Sequence, residues 1–185
     1  MKCIDDTLVR DIVRGDREAQ RELYDRYSAQ LMAIAMRYLG DRAVAEDTLH
    51  DSFIKIFESI KSFKSRGEGS LRAWMSRIVV NTSLEYLRHQ NHHKVISLDE
   101  ALTHDMKEEE PYGDVGRVPQ EVLLRFISEL PDGYRTVFNL FCVEEYSHRE
   151  IAAALGINEK SSSSQLLRAK RLLATKVRDY IKSHG

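Results

Sequence analysis

The sequence has few residues that break helices, with only nine glycines and three prolines in 185 residues. With abundant Leu, Ala, Arg, Glu and Lys, that scarcity argues against a turn-rich β architecture and for an all-helical chain. It has only two cysteines, Cys3 and Cys142, far apart and outside any CxxC or His/Cys cluster with zinc spacing. A disulfide framework and a structural metal are therefore not expected, and a reducing cytoplasm fits. No apolar run approaches the roughly 18 residues needed to span a bilayer, so no membrane insertion is expected. The opening MKCIDDTLVRDIV is charged and lacks the apolar stretch of a secretory signal. No HExxH, glycine-rich phosphate loop or nucleophile elbow occurs, so neither a catalytic site nor a cofactor is expected. The pair His92-His93 sits at the edge of a polar stretch and reads as solvated.

A charge excess of either sign is also missing. Twenty-eight Lys and Arg face 29 Asp and Glu, a net charge of −1. Composition alone does not mark a nucleic-acid binder, so the arrangement of the charges must carry any such argument.

The chain does have 42% hydrophobic and 31% charged residues, enough for real cores with wet outer faces. Its length suits two small domains. One composition shift divides it: residues 95–118 (VISLDEALTHDMKEEEPYGDVGRV) are polar, acidic and broken by Pro111, Gly113 and Gly116. This reads as a tether between a domain at 1–94 and another at 119–185.

Helical periodicity is strong on both sides of the tether. The first domain shows helices over 7–13, 17–39, 43–60 and from Ser70, a plausible N-cap, to about 90. Leu23, Tyr27, Leu31, Ile34 and Tyr38 form one stripe. Leu49, Phe53, Ile56 and Ile60 form a second, and Leu71, Met75, Ile78, Thr82 and Leu87 a third. In the second domain Pro119 opens a helix carrying Leu123, Phe126, Ile127 and Leu130, and Asp132 can cap the next, with Tyr134, Val137, Phe138 and Phe141 inward. Ser147, with Glu150 in the capping-box position, starts SHREIAAALG. The last helix spans about 159–181.

The segment 147–171 has helix-turn-helix spacing: a short helix ending at Leu155-Gly156, a tight turn at Gly156-Ile157-Asn158, and a second helix opening with Lys160, Ser161, Ser162, Ser163, Ser164 and Gln165. Gly156 supplies the positive φ the turn needs, and short polar side chains at a recognition helix can reach phosphates and base edges. Residues 159–185 hold seven bases against two acids, including Arg168 and Arg171. Residues 61–94 likewise hold seven bases against two acids, with Phe63 and Trp74 interleaved and Asn81 on the same helix. Aromatics beside bases suit unstacked single-stranded DNA. Trp74 taken alone reads as ordinary core. The tether between these basic tracts has seven acids against two bases. On the helix at 43–60, Asp47, His50, Asp51 and Glu58 share a face that would repel DNA and attract a protein with basic residues.

The strings AEDTLHDSFIKIF (45–57), LRAWMSRIVVNTSLEYLRH (71–89) and ELPDGYRTVFNLFCVEEYSHREIAAALGI (129–157), followed by SQLLRAKRLL, resemble the extracytoplasmic-function group of the sigma-70 family, the bacterial RNA polymerase sigma factors. The resemblance covers nearly all of the chain except the tether. It implies two helical domains, region two and region four, in a cytoplasmic protein with no catalysis of its own. It further implies that Asp47, His50 and Asp51 dock on the β′ clamp helices of core RNA polymerase, with the β flap as a second contact. Lys61, Phe63, Lys64, Arg66, Arg77, Asn81 and Arg88 would melt and read the minus-ten element of promoter DNA. Arg149, Ser161, Ser162, Ser163, Ser164, Gln165, Arg168 and Arg171 would read the minus-thirty-five element. Such factors are often held inactive by an anti-sigma protein.

The chain departs from the common pattern at several places. His50 replaces glutamine, Glu85 replaces an aspartate, and Lys160 and Ser163 replace a glycine and a basic residue. Glu145 stands where glycine is usual, so the turn before Tyr146-Ser147 is expected to avoid positive φ. The competing reading of the residues is a stand-alone helix-turn-helix regulator, which needs neither the acidic docking face nor the first basic tract.

Overall fold

The computed structural model describes residues 4–93 and 115–184. Every regular element among them is helical. The helices are α1 (Ile4–Val13), α2 (Arg17–Leu39), α3 (Arg42–Ser59), α4 (Ser70–His93), α5 (Gln120–Ser128), α6 (Asp132–Cys142), α7 (His148–Leu155) and α8 (Glu159–His184), with 3-10 turns at Ile60–Ser62 and Val115–Arg117. The chain divides into two compact units, Met1–Leu87 and Arg88–Gly185. Lys94 and residues 95–114 of the acidic tether lie outside the described residues. The stretch after them does not all belong to a tether, because Val118 is 5% exposed and packs with Phe126, Leu130, Ala169, Leu173 and Val177.

Polar caps set the helix limits in the first unit. Asp16 accepts hydrogen bonds from the Glu18 and Ala19 amides at 2.8 and 3.3 Å, satisfying two of the donors a helix start leaves unpaired. Gly40 ends α2 in the left-handed region at φ 71°, and Asp41 at once caps α3 through the Val44 amide at 3.0 Å. Two adjacent residues thus close one helix and open the next, which folds α3 back onto α2. The core they enclose contains Leu23, Leu31, Tyr38, Ile56, Leu71, Met75 and Val79, all essentially buried. Truncating one of these large side chains to alanine is expected to cost ~2–5 kcal/mol. The inward face of α4 also includes Val80, Ser83 and Leu84, whereas Ile78 is half-buried. Ser70 does not cap α4. Its hydroxyl donates to the Gly67 carbonyl at 2.7 Å and accepts from the Arg66 amide at 3.2 Å, tying the preceding loop to the helix start.

In the second unit Pro131, not Asp132, occupies the cap position of α6, and Asp132 pairs with Arg135 at 2.7 Å. Arg135 is buried and turns back on α5, donating to the Ser128 and Leu130 carbonyls at 3.1 and 2.9 Å. Ser128 ends α5, so its carbonyl is one that a helix end leaves without an internal partner, and Leu130 lies in the turn that follows. The buried side of α6 is accordingly Arg135, Thr136, Val137, Asn139 and Leu140, while Tyr134, Phe138 and Phe141 are half-buried. The turn leaving α6 corrects one expectation: Glu145 adopts φ 58°. Amides of Glu144 and Tyr146 donate to the Asn139 and Leu140 carbonyls at 3.1 and 2.9 Å, and this reversal holds Glu145 left-handed without a glycine. The ~1–2 kcal/mol cost of that conformation falls on one exposed residue.

Candidate nucleic-acid interface

Three surfaces carry the polar residues singled out by the sequence. The first grows from the end of α3. Ile60 is buried and anchors the 3-10 turn; Phe63 then leaves in an extended conformation, and the loop returns through Gly67 (φ 110°) and Gly69 (φ 78°) to α4. The return brings the Phe63 ring to 5.4 Å from the Trp74 ring. Ser62, Phe63, Lys64, Arg66, Ser70, Ala73, Trp74 and Arg77 line an open cavity of about 390 Å³. Trp74 is thus half-buried and faces this cavity; it is not plain core. Of the expected minus-ten residues, Phe63, Lys64, Arg66 and Arg77 meet here. Asn81 is exposed one turn further along α4 in a neighbouring depression, and Lys61 and Arg88 are exposed outside both. Arg77, Asn81 and Arg88 follow one face of α4, spaced four and seven residues apart. Glu85 forms an ion pair with Lys55 of α3 at 2.6 Å, so the longer carboxylate bridges the two helices.

The second surface is the outer face of α3. Asp47, His50, Asp51 and Glu58 are all exposed, as expected. Ile54 lies among them and is 57% exposed, which the sequence reading missed. Its signal was the spacing: seven residues after Asp47 and four before Glu58, it falls on the acidic side of the helix.

The third surface is the helix-turn-helix. Ser147 and Glu150 make the full capping box, and the hydrogen bonds from the Ser147 hydroxyl and amide hold the Glu150 carboxyl below the usual carboxylate range. Gly156 ends α7 at φ 69°, and the Asn158 side chain accepts from the Ser161 amide at 2.7 Å, capping α8. Ile151, Ala152, Val137, Leu140 and Leu166 are buried and fix how the two helices cross. Ser162 is fully buried with its hydroxyl 2.9 Å from His148 Nδ1. The structure therefore gives Ser162 to the packing of α7 on α8, because an enclosed and occupied hydroxyl presents nothing to a groove. Arg149 and Ser163 are exposed, and Ser161, Ser164, Gln165, Arg168 and Arg171 are half-buried. Gln165 lies over the start of α6, where a Cβ on Gly133 would stand 3.1 Å from its Oε1. The Arg168 guanidinium donates to the Tyr134 hydroxyl at 3.3 Å. Leu167 is 50% exposed beside these residues.

Comparison with known proteins finds matches on both sides of the tether. The sigma-70 region 2 family model matches residues 23–93, and the sigma-70 region 4 model matches residues 120–173. The chain belongs to the sigma-70 family. It is 27% identical over 182 residues to the ECF RNA polymerase sigma-E factor of Haemophilus influenzae, covering 94% of this chain and 95% of that one. It is 26% identical over 153 residues to the ECF RNA polymerase sigma factor SigM of Bacillus subtilis, covering 82% and 91%. The solved structure of the Bartonella quintana sigma factor RpoE in complex with the anti-sigma factor NepR aligns with TM-score 0.48 and 18% identity over 85% of this chain.

The chain is accordingly an RNA polymerase sigma factor of the extracytoplasmic-function group, serving promoter recognition and transcription initiation. The reading as a stand-alone regulator is not favoured, since both sigma regions match in order. Region 2 takes in most of α2 with α3, α4 and the aromatic cavity. Region 4 begins at the first residue of α5 and runs into α8, past the helix-turn-helix. Among the described residues no helix is long and apolar enough to cross a membrane.

Proposed function

We propose that the three surfaces divide the work of initiation among binding events, with no covalent chemistry by this chain. The exposed face of α3, with Asp47, His50 and Asp51 around Ile54, engages the β′ clamp helices of core polymerase. The carboxylates give steering and register, and Ile54 gives an apolar centre. The cavity lined by Phe63 and Trp74 takes an unstacked base of the minus-ten element against their exposed ring surface, while Lys64, Arg66 and Arg77 neutralise the backbone passing it. Asn81, Lys61 and Arg88 continue that track. The recognition helix α8 presents Ser161, Ser163, Ser164, Gln165, Arg168 and Arg171, with Arg149 from α7, to the major groove of the minus-thirty-five element. The β flap is the second polymerase contact. The factor works in the cytoplasm and is restrained by an anti-sigma protein until released.

The observation that carries this reading is the cavity: two aromatic rings 5.4 Å apart, rimmed by three cations and no carboxylate. Stacking on aromatic rings with cations on the backbone is how unpaired strands are held. The decisive experiment reconstitutes holoenzyme with core polymerase and follows promoter opening by the fluorescence of a base analogue in the minus-ten element. Trp74→Ala should lower the open-complex equilibrium about 5- to 150-fold, the equivalent of ~1–3 kcal/mol for one stacked base, while leaving holoenzyme assembly unchanged. Opening at the wild-type level would refute the assignment.

A further inference from the structure

The helix α1 has 10 residues, fewer than the roughly 12–15 at which an isolated helix begins to hold in water. Its place therefore depends on what it packs against. It packs on α2 and on the 3-10 turn Ile60–Ser62, with Leu8 and Ile12 buried on its inner side and Ile60 buried in the turn. That turn is the base of the loop that carries Phe63. The Ser62 hydroxyl donates to the Ser59 carbonyl at 2.7 Å, the Phe63 amide donates to the Ile60 carbonyl at 3.1 Å, and the Phe63 ring then meets Trp74.

Two polar fastenings hold α1 on this site, one at each end. At its last turn the Gly15 amide donates to the Ile12 carbonyl at 2.9 Å and the Asp16 amide to the Asp11 carbonyl at 3.1 Å, and Asp16 goes on to cap α2. At its first turn the Tyr27 hydroxyl of α2 donates to the Asp5 carboxylate at 2.9 Å. The Arg26 guanidinium lies 3.6 Å from the same oxygen and also pairs with Glu22. Burial, and then the bond to Asp5, pushes the Tyr27 hydroxyl up to about 12, so it keeps its proton and donates at neutral pH. The first fastening is backbone; the second is made by side chains alone. None of its residues lies on the surfaces assigned to polymerase or DNA.

Resting on the minus-ten reading above, we propose that Asp5 is a positioning residue for promoter opening: its bond to Tyr27 seats α1 against the turn at Ile60–Ser62, and the seated helix holds Phe63 opposite Trp74 before DNA arrives. A cavity formed in advance spares the binding step the cost of ordering the loop. A short helix can lift by itself, below the free energy of global unfolding. Lifting α1 uncovers Ile60 and leaves the core around Leu31, Ile56 and Met75 in place, so the cavity is lost while the other helices remain.

The test uses the full chain and Trp74, its sole tryptophan. In Asp5→Ala, acrylamide quenching of Trp74 should rise. Reconstituted holoenzyme carrying this variant should bind single-stranded minus-ten oligonucleotides about tenfold more weakly, the lower end of what one hydrogen bond to a charged group contributes, with core-polymerase affinity unchanged. Asp5→Asn, which keeps an acceptor at the same reach, should restore most of both; a chain that is merely less stable but still folded would show neither change. Tyr27→Phe removes the other half of the same bond and should reproduce Asp5→Ala, which keeps the test decisive if that variant does not fold. Trp74 quenching or oligonucleotide affinity at the wild-type level in these variants overturns the inference. Trp74→Ala separates the two claims. If it weakens oligonucleotide binding while Asp5→Ala and Tyr27→Phe leave quenching unchanged, the aromatic site stands and the positioning role falls; if it leaves binding intact, the minus-ten reading falls and the role falls with it.

Discussion

Replacing Arg135 with alanine should destabilise the second unit by ~3 kcal/mol, and the sum can be built from its contacts. The guanidinium donates to the Leu130 carbonyl at 2.9 Å in a buried setting and to the Ser128 carbonyl at 3.1 Å in a partly buried one. Hydrogen bonds from a charged donor contribute about 1.5–3 kcal/mol each, and an acceptor left dry costs ~1–3 kcal/mol. Ser128 is exposed, so water can replace its bond in part, which keeps the total near the lower end of the combined range. The ion pair contributes less: the Asp132 side chain is 69% exposed, and pairs in solvent are worth below ~1 kcal/mol. Arg135→Met, which keeps an apolar stem but no donor, should be nearly as damaging as Arg135→Ala, and Asp132→Asn should cost less than ~1 kcal/mol. Urea unfolding of the full chain, followed by circular dichroism, gives these differences. Trp74 is the sole tryptophan and lies in the first unit, so its fluorescence serves as a reference for damage there. A loss below ~1 kcal/mol for Arg135→Ala, or an equal loss for Asp132→Asn, would refute the capping argument.

Charge reversal of both Asp47 and Asp51 to lysine should weaken association with core polymerase at least about tenfold, since like charges set across an interface cost several kcal/mol. Both residues are exposed, so the circular dichroism spectrum should not change; undiminished co-purification would remove α3 from the docking surface. Arg168→Ala should lower promoter affinity and flatten its dependence on salt, by about 0.9 in log–log slope if one phosphate contact is lost. An unchanged slope would leave Arg168 with its Tyr134 contact alone. Tyr27 provides a test in alkali: burial first, then the hydrogen bond to Asp5, raises its hydroxyl from 10.0 to about 12. The unfolded chain gives up this proton before the folded one does, so the stabilisation is complete below pH 10 and is lost as pH rises toward 12. Tyr27→Phe should therefore flatten the fall in stability across that interval, and an identical alkaline limb would disprove the assignment.

Much of the fold was legible because its limits are set by local chemistry. Gly40-Asp41, the Ser147-Glu150 box and Gly156 act within one turn of their own position, so their spacing names them. Errors arose where something other than the residue's own preference decides, from an adjacent proline to a packed helix. Asp132 has the composition of a cap, but a preceding proline holds that position and the carboxylate turns to Arg135. Ser70 looks like a cap until the loop returning through Gly67 takes its hydroxyl. Glu145 is left-handed because two amides beyond α6 reach back to the Asn139 and Leu140 carbonyls, an arrangement that residue preference at one position does not reveal. Val118 has the polar surroundings of a tether, yet α5 and α8 cover it.

The binding surfaces follow the same division. Helical spacing alone placed Asp47, His50, Asp51 and Glu58 on one side of α3, and their exposure agrees. The same periodicity set Trp74 beside the Leu71–Met75 stripe and so suggested core; only the loop that carries Phe63 across to it makes a cavity of that edge. Ser162 shows the opposite case, since four consecutive serines cannot all face outward on a helix with 3.6 residues per turn, and the one aligned with Leu166, Ala169 and Leu173 must be buried. The near-zero net charge has a related cause. The basic excess of residues 61–94 and 159–185 is offset by the acidic tether at 95–118 and by an acidic excess in the rest of the chain, so the total hides the local charge. Local charge along the chain therefore says more about what each segment can bind than the total does.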